Sequence, residues 1–222
     1  MPKLPSHEAT RGKTALREFG KRALDVAICV LAIVPLALVF IAVWIAIHLD
    51  SPGPAVFRQR RIGRDEKPFN CFKFRTLRHN ADENIHREAI RKAWAKQPLS
   101  NDPAAPYKLT DDPRVTRVGR WLRRTSLDEL PQLLNVLRGE MSIVGPRPAI
   151  PYELEHFRDW HHKRHIVKPG ITGICQVRAR GRVSPEVMLE MDVEYAMNWT
   201  LWTDLKLIAL TFPAVLRGHG AR

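Results

Sequence analysis

The sequence predicts a mainly helical α+β protein held at a membrane by a proline-bent, re-entrant N-terminal helix, with a small β-hairpin and amphipathic interfacial helices. Three observations predict it. An uncharged apolar stretch with a central proline lies near the N-terminus, a short alternating segment with a glycine-centred turn follows, and basic segments carrying tryptophan recur later. Hydrophobic residues make up 45 % of the 222, enough for a folded core. Lys and Arg number 36 against 23 Asp and Glu, a formal charge of +13, so the partners are anionic: nucleic acid, a lipid surface or phosphorylated small molecules. Composition does not choose among them. Cys29, Cys71 and Cys175 are far apart, which argues against a disulfide framework and a structural zinc site.

Residues 1–20 are basic and lack an apolar period, as in a mobile arm or a surface helix. From Val26 to Ile47 runs VAICVLAIVPLALVFIAVWIAI, about 22 residues, long enough to cross the hydrocarbon of a bilayer. It is too long, and starts too far from the N-terminus, for a cleaved signal peptide. Arg11, Lys13, Arg17, Lys21 and Arg22 precede it, and Arg58, Arg60, Arg61 and Arg64 follow, so both ends read as cytoplasmic. Pro35 removes a helical hydrogen bond near the middle and favours a bend. A re-entrant helix over residues 21–50 satisfies both features, with a kinked spanning helix as the alternative.

The DSPGPAVF stretch breaks the helix, and residues 55–77 predict a hairpin turning around Gly63–Lys67. Phe72 and Phe74 alternate with Lys73 and Arg75, so both cations leave one face of the second strand. Residues 80–109 read as a helix followed by a loop. From Thr110 the chain becomes basic and amphipathic, with Val115, Val118 and Leu122 on an apolar face beside Trp121. In RRTSLDELPQLLNVL, Asp128 and Glu129 adjoin Arg123 and Arg124. Ser126 and Glu129 fit a capping box, and Asp128 fits an N-cap, so helix-start chemistry alone explains the pair.

Arg147 is held between Pro146 and Pro148, a rigid setting for a phosphate-binding guanidinium. In HFRDWHHKRH, His161 and His165 have helical i, i+4 spacing but no H-E-x-x-H acid, so a solvated basic helix face is favoured over a metal site there. KPGITGICQVRARGR reads as a glycine-rich basic loop without a nucleotide-fold pattern, and Ser184-Pro185 starts a helix. The NWTLWTDLKLIALTFPAVL stretch is either a second membrane-associated element or a core helix.

Taken in order, KRALDVAICV, FKFRTL, LTDDPRVTRVGRWLRRTSLDELPQLLNVLRGEMSIVGPRP, KPGITG and MDVEYAMNWTLWTDLKL resemble the bacterial sugar transferase family, the small monotopic polyprenyl-phosphate phosphoglycosyl transferases. The resemblance covers about residues 18–220 and implies a catalytic domain over 51–222 on the cytoplasmic face of the cell's inner membrane. It implies transfer of a sugar-1-phosphate from a nucleotide diphosphate sugar, UDP-linked by expectation, to polyprenyl (undecaprenyl) phosphate, opening exopolysaccharide or glycan assembly. Asp128 maps onto the family's nucleophile, with Mg²⁺ as cofactor. Glu129 is its partner, as metal ligand, base or cap. Arg123 is implied for the lipid phosphate, Arg147 for substrate phosphate, and Lys73 and Arg75 for the floor of the site. Pro35 matches the family's helix-breaking proline.

The implied partners are the nucleotide sugar, the polyprenyl phosphate and membrane lipids, not nucleic acid; homo-oligomerisation is left open. Val34, Ile174, Cys175 and Arg178 depart from the usual pattern. The multi-span N-terminal region of larger relatives is missing, which implies a minimal catalytic form. The rival class is a non-catalytic, membrane-anchored anion-binding or scaffold protein.

Overall fold

A computed structural model describes residues 7–100, 102, 106–107, 109, 112–179 and 182–216. Helix α1 (His7–Asp50) includes residues 7–20 and the whole apolar stretch, with Pro35 inside it. Over Ala15–Asp50 it is long and apolar enough to cross a membrane, and only 11 % of its most apolar window is buried by the protein. Val34 and Leu38 are each 78 % exposed. Removing such side chains from water is worth about 1.5–3 kcal/mol apiece, which favours a lipid environment.

Helix α1 is fastened to the rest of the chain on both sides of Pro35. Before the apolar stretch, Lys21 donates to the Asp204 carboxylate at 2.5 Å and to the Val144 carbonyl at 2.9 Å. The Asp25 carboxylate accepts from the Ser142 hydroxyl at 3.0 Å and the Ile143 amide at 2.9 Å. At the other end Val43 and Ile47 are buried with Phe74 and Leu122, and Phe40 packs on Phe74 at 4.5 Å between ring centroids. The Asp50 carboxylate accepts from the Val118 amide at 3.0 Å.

The hairpin forms as the alternation predicts: β1 (Val56–Ile62) pairs antiparallel with β2 (Pro68–Phe74) around a 3-10 turn at Arg64–Glu66. Gly63 donates to the Lys67 carbonyl at 2.9 Å to close it. Helix α2 (Asn84–Trp94) follows, then α3 (Arg117–Thr125), whose N-cap Thr116 accepts from the Gly119 amide at 3.0 Å. Gly119 lies on the backbone of Thr76, where an added Cβ would stand 2.1 Å from the carbonyl oxygen. On α3 Leu122 is buried while Arg117, Arg120, Trp121 and Arg124 are exposed, the basic, Trp-bearing face that the sequence suggests.

Helix α4 (Gln132–Arg138) ends at Gly139, which takes the left-handed φ of 79° natural to a C-terminal glycine. Strands β3 (Ser142–Val144) and β4 (Gly170–Thr172) pair in parallel, and α5 (Ile174–Arg178), α6 (Pro185–Asn198) and α7 (Leu201–Leu216) complete the chain. Cys29, Val136, Met141, Val144, Tyr195 and Leu207 form the main core.

Two local expectations are corrected. The stretch at 168–182 is not a loop in its described part: it forms β4 and α5, residues 180–181 lying outside the described residues. Asp159–Ile166 is not a solvated α-helical face but a 3-10 stretch in which His161, Arg164 and His165 are buried. Three residues per turn replace 3.6, so i and i+3 align rather than i and i+4. His161 packs against Trp94 and Trp160 at 6.2 and 4.0 Å between ring centroids. Helix α7 divides its faces, burying Leu207 and Asp204 and exposing Trp202, Leu205, Leu210 and Phe212.

Candidate active site

The acidic pair does not start a helix. Ser126 has a left-handed φ of 57° and ends α3, so it cannot act as an extended N-cap, and its side chain makes no cap bond. Asp128 and Glu129 lie instead in a 3-10 turn, Leu127–Glu129, ahead of Pro131 and α4. Leu127 and Leu130 pack on the Phe74–Leu122 cluster and pin the turn on both sides. The capping explanation therefore fails, and the carboxylates remain available for other chemistry.

A cleft of about 1180 Å³ brings Lys73, Arg75, Arg123, Asp128, Glu129 and Arg147 to one surface. Lys73 donates to Glu129 Oε1 at 2.9 Å. The Asp128 carboxylate accepts no hydrogen bond from another side chain among the described residues, and burial pushes its pKa up to about 6. Lys73 and Arg123 pull it down and Glu129 pushes it up, so the cations offset only part of the burial penalty. A hydrogen bond from its own backbone amide also favours the ionised form.

Arg123 donates from Nε to Thr76 Oγ1 at 3.0 Å, on the segment that α3 approaches through Gly119. Burial lowers its pKa and the field of Asp128 raises it; a guanidinium stays protonated either way. Arg75 leaves the same face of β2 as Lys73 but turns to the end of α1. Its guanidinium donates to the carbonyls of Pro52, Ser51 and Gly53 at 2.6, 2.8 and 3.2 Å, quenching acceptors just past the helix terminus.

Arg147 stands on the loop after β3. Its guanidinium meets Glu153 at 3.2 Å, and the attraction of that carboxylate raises its pKa. Burial would raise Glu153, but the charges of Arg147 and Arg61 hold it below its usual range. Glu153 also accepts from the Ile150 amide at 2.7 Å. Arg61 donates to the Pro148 carbonyl at 2.7 Å, and Arg164 donates to the Arg147 carbonyl at 2.5 Å and to Asp192 at 2.6 Å. The two prolines thus act with two buried arginines to fix the loop.

Arg61, Thr76, Glu153, Arg164 and Asp192 escaped sequence reasoning, because each acts through a partner distant in sequence or outside any motif. Among the departures, Ile174 packs on the main core and Arg178 is exposed, whereas Cys175 lines the cleft with a thiol that burial pushes up to about 12, an inert form.

Comparison with known proteins adds an independent line. The family described as bacterial sugar transferase matches residues 16–218. The undecaprenyl-phosphate galactose phosphotransferase of Salmonella typhimurium is 40 % identical over 209 residues, covering 91 % of this chain and 42 % of that protein. The exopolysaccharide production protein ExoY of Sinorhizobium fredii is 39 % identical over 211 residues, 93 % of this chain and 91 % of that protein. The UDP-glucose:undecaprenyl-phosphate glucose-1-phosphate transferase of Escherichia coli is 40 % identical over 199 residues, 86 % of this chain and 39 % of that protein. The chain thus spans about two fifths of the longer relatives.

Proposed function

This chain belongs to the bacterial sugar transferase family, and on that premise we propose that it moves a sugar-1-phosphate from a UDP-sugar to undecaprenyl phosphate, the membrane step that opens exopolysaccharide assembly. The single observation that carries the mechanism is the Asp128 carboxylate, bonded by no other side chain among the described residues, on the wall of a basic cleft. One of its oxygens attacks the sugar-linked phosphorus, the bond from that phosphorus to the bridging oxygen breaks, and uridine monophosphate leaves. The lipid phosphate oxygen then attacks the same phosphorus, and the bond to the Asp128 oxygen breaks. Splitting the transfer into two displacements predicts ping-pong kinetics.

Lys73, Arg123 and Arg147 bring the anionic substrates against this carboxylate and stabilise charge on the transferring oxygens. Arg75 contributes positive field to the floor while holding the end of α1. Mg²⁺ suits this corner, since Asp128 offers hard carboxylate oxygen beside a second acid, Glu129, on the cleft wall. Asp128 would hold the ion, which supplies charge neutralisation at the phosphoryl oxygens. Glu129, engaged by Lys73, keeps that ammonium beside Asp128.

The re-entrant reading of α1 rests on contacts to one domain on both sides of Pro35: Lys21 and Asp25 before the apolar stretch, and Val43, Ile47 and Asp50 at its far end. Labels on cysteines placed at positions 10 and 60 should react from the cytoplasmic side alone; opposite sides refute this topology.

For the reaction, the protein is incubated with a donor radiolabelled at the sugar-linked phosphate, without acceptor, and quenched. Label on Asp128 with uridine monophosphate released in equal amount is the expected result. Label on another residue refutes the assignment, and no release at all favours the non-catalytic anion-binding or scaffold class.

A further inference from the structure

The catalytic reading leaves unused a second group of ligating side chains, Glu66, His162 and His165. Glu66 lies in the 3-10 turn at the tip of the hairpin, with a left-handed φ of 59°. The histidines lie one turn apart on the 3-10 stretch Asp159–Ile166, where i and i+3 share a face. The ligand atoms of all three lie within 4.8 Å of one another. His162 Nδ1 bonds Glu66 Oε1, and His165 Nδ1 stands 3.4 Å from that oxygen.

His165 is the informative member. It is 6 % exposed, its ring stacked on Phe157 at an interplanar angle of 13°; Nδ1 has only the long contact to Glu66, and Nε2 has no hydrogen-bond partner. An imidazole so buried and so weakly partnered costs folding free energy, and a second electron-pair acceptor removes that cost. His162 and Glu66, 38 % and 42 % exposed at their side chains, have room to adjust. Tetrahedral ligands about 2.0–2.2 Å from a zinc ion lie roughly 3.3 Å apart, within reach of such adjustments.

We propose that Glu66, His162 and His165 form a binding site for a zinc-class divalent cation, clasping the hairpin tip to the histidine segment. Two imidazoles and one carboxylate suit zinc, and the hard, oxygen-seeking Mg²⁺ suits Asp128 instead. The fourth position is open to water. None of the three ligands lines the catalytic cleft, and the register Phe57↔Lys73 places the hairpin tip on the order of 20 Å along the strands from Lys73. The clasp is structural rather than catalytic. It bears on the cleft through Arg164, which lies between the two histidines and holds the Arg147 carbonyl.

The test uses the full chain without a histidine tag, in detergent, stripped by chelator and titrated with zinc chloride in excess Mg²⁺. The expected result is about one equivalent of zinc retained through gel filtration, with a thermal midpoint raised by about 5–10 °C at a hundredfold excess over Kd. His162→Gln and Glu66→Gln, both at accessible positions, should each lose the retained zinc and the thermal shift. X-ray absorption should show two imidazoles in the first shell. No retained zinc in the unaltered chain overturns the proposal, and so does undiminished retention in His162→Gln, which assigns the ion to other histidines. The outcome is independent of the transfer reaction, since neither readout measures turnover.

Discussion

Two corners of one cleft use the same residue types to opposite ends. Around Arg147, charges alternate and pair directly: Arg61, Arg147 and Arg164 meet Glu153, Asp192 and backbone carbonyls within 2.5–3.2 Å, with Arg164 Nε and Asp192 Oδ1 left over. Around Asp128 the cations act at a distance: Lys73 bonds Glu129 and Arg123 bonds Thr76, and both reach the Asp128 carboxylate through charge alone. The first corner fixes a shape. The second leaves on the cleft wall a carboxylate that no other side chain among the described residues binds. The two corners differ less in residue type than in whether a side chain closes on the carboxylate.

The sharpest way to break the comparison is Asp128→Asn. If the Asp128 corner is the reacting one, transfer falls by at least about 10³-fold in a nucleotide-release assay, while the thermal midpoint changes little, since no other side chain bonds that carboxylate. Arg164→Met addresses the closed corner. It strands the buried Asp192 and should cost about 3–5 kcal/mol of stability, read as a lowered melting midpoint. Arg147→Lys keeps the charge but not the guanidinium fork, so kcat/KM for the nucleotide sugar should fall about 10–100-fold, chiefly through KM. The mildest test is pH. Asp128 must be ionised to attack, so kcat/KM of the unaltered enzyme should rise with pH through about 6 and level off above. Lys73 lowers the Asp128 pKa, so Lys73→Met should move that midpoint upward.

The long apolar helix and the hairpin are legible in the sequence, because an apolar run and a period-two alternation around Gly63 are local patterns. The acidic pair stood out too, but its local pattern misled. S-x-x-E spells a capping box, and nothing local tells that Ser126 adopts a left-handed conformation at the end of α3. The use of Arg75 at the end of α1, and the ties of Arg164 to Asp192 and Arg147, depend on tertiary approach across tens of residues. The histidine stretch failed for a related reason. Helical period was assumed where the chain, tucked under Trp94 and Phe157, winds more tightly.

Gly119 has a consequence beyond its own position. Because α3 rests there main chain against main chain on Thr76, a single absent methyl sets how near the helix bearing Arg123 comes to the strand leading out of Lys73. The gap between the two cations that flank Asp128 is gauged by a hydrogen atom. Any larger substituent at 119 would act as a shim, spreading the jaws of the site while leaving every charged residue in place.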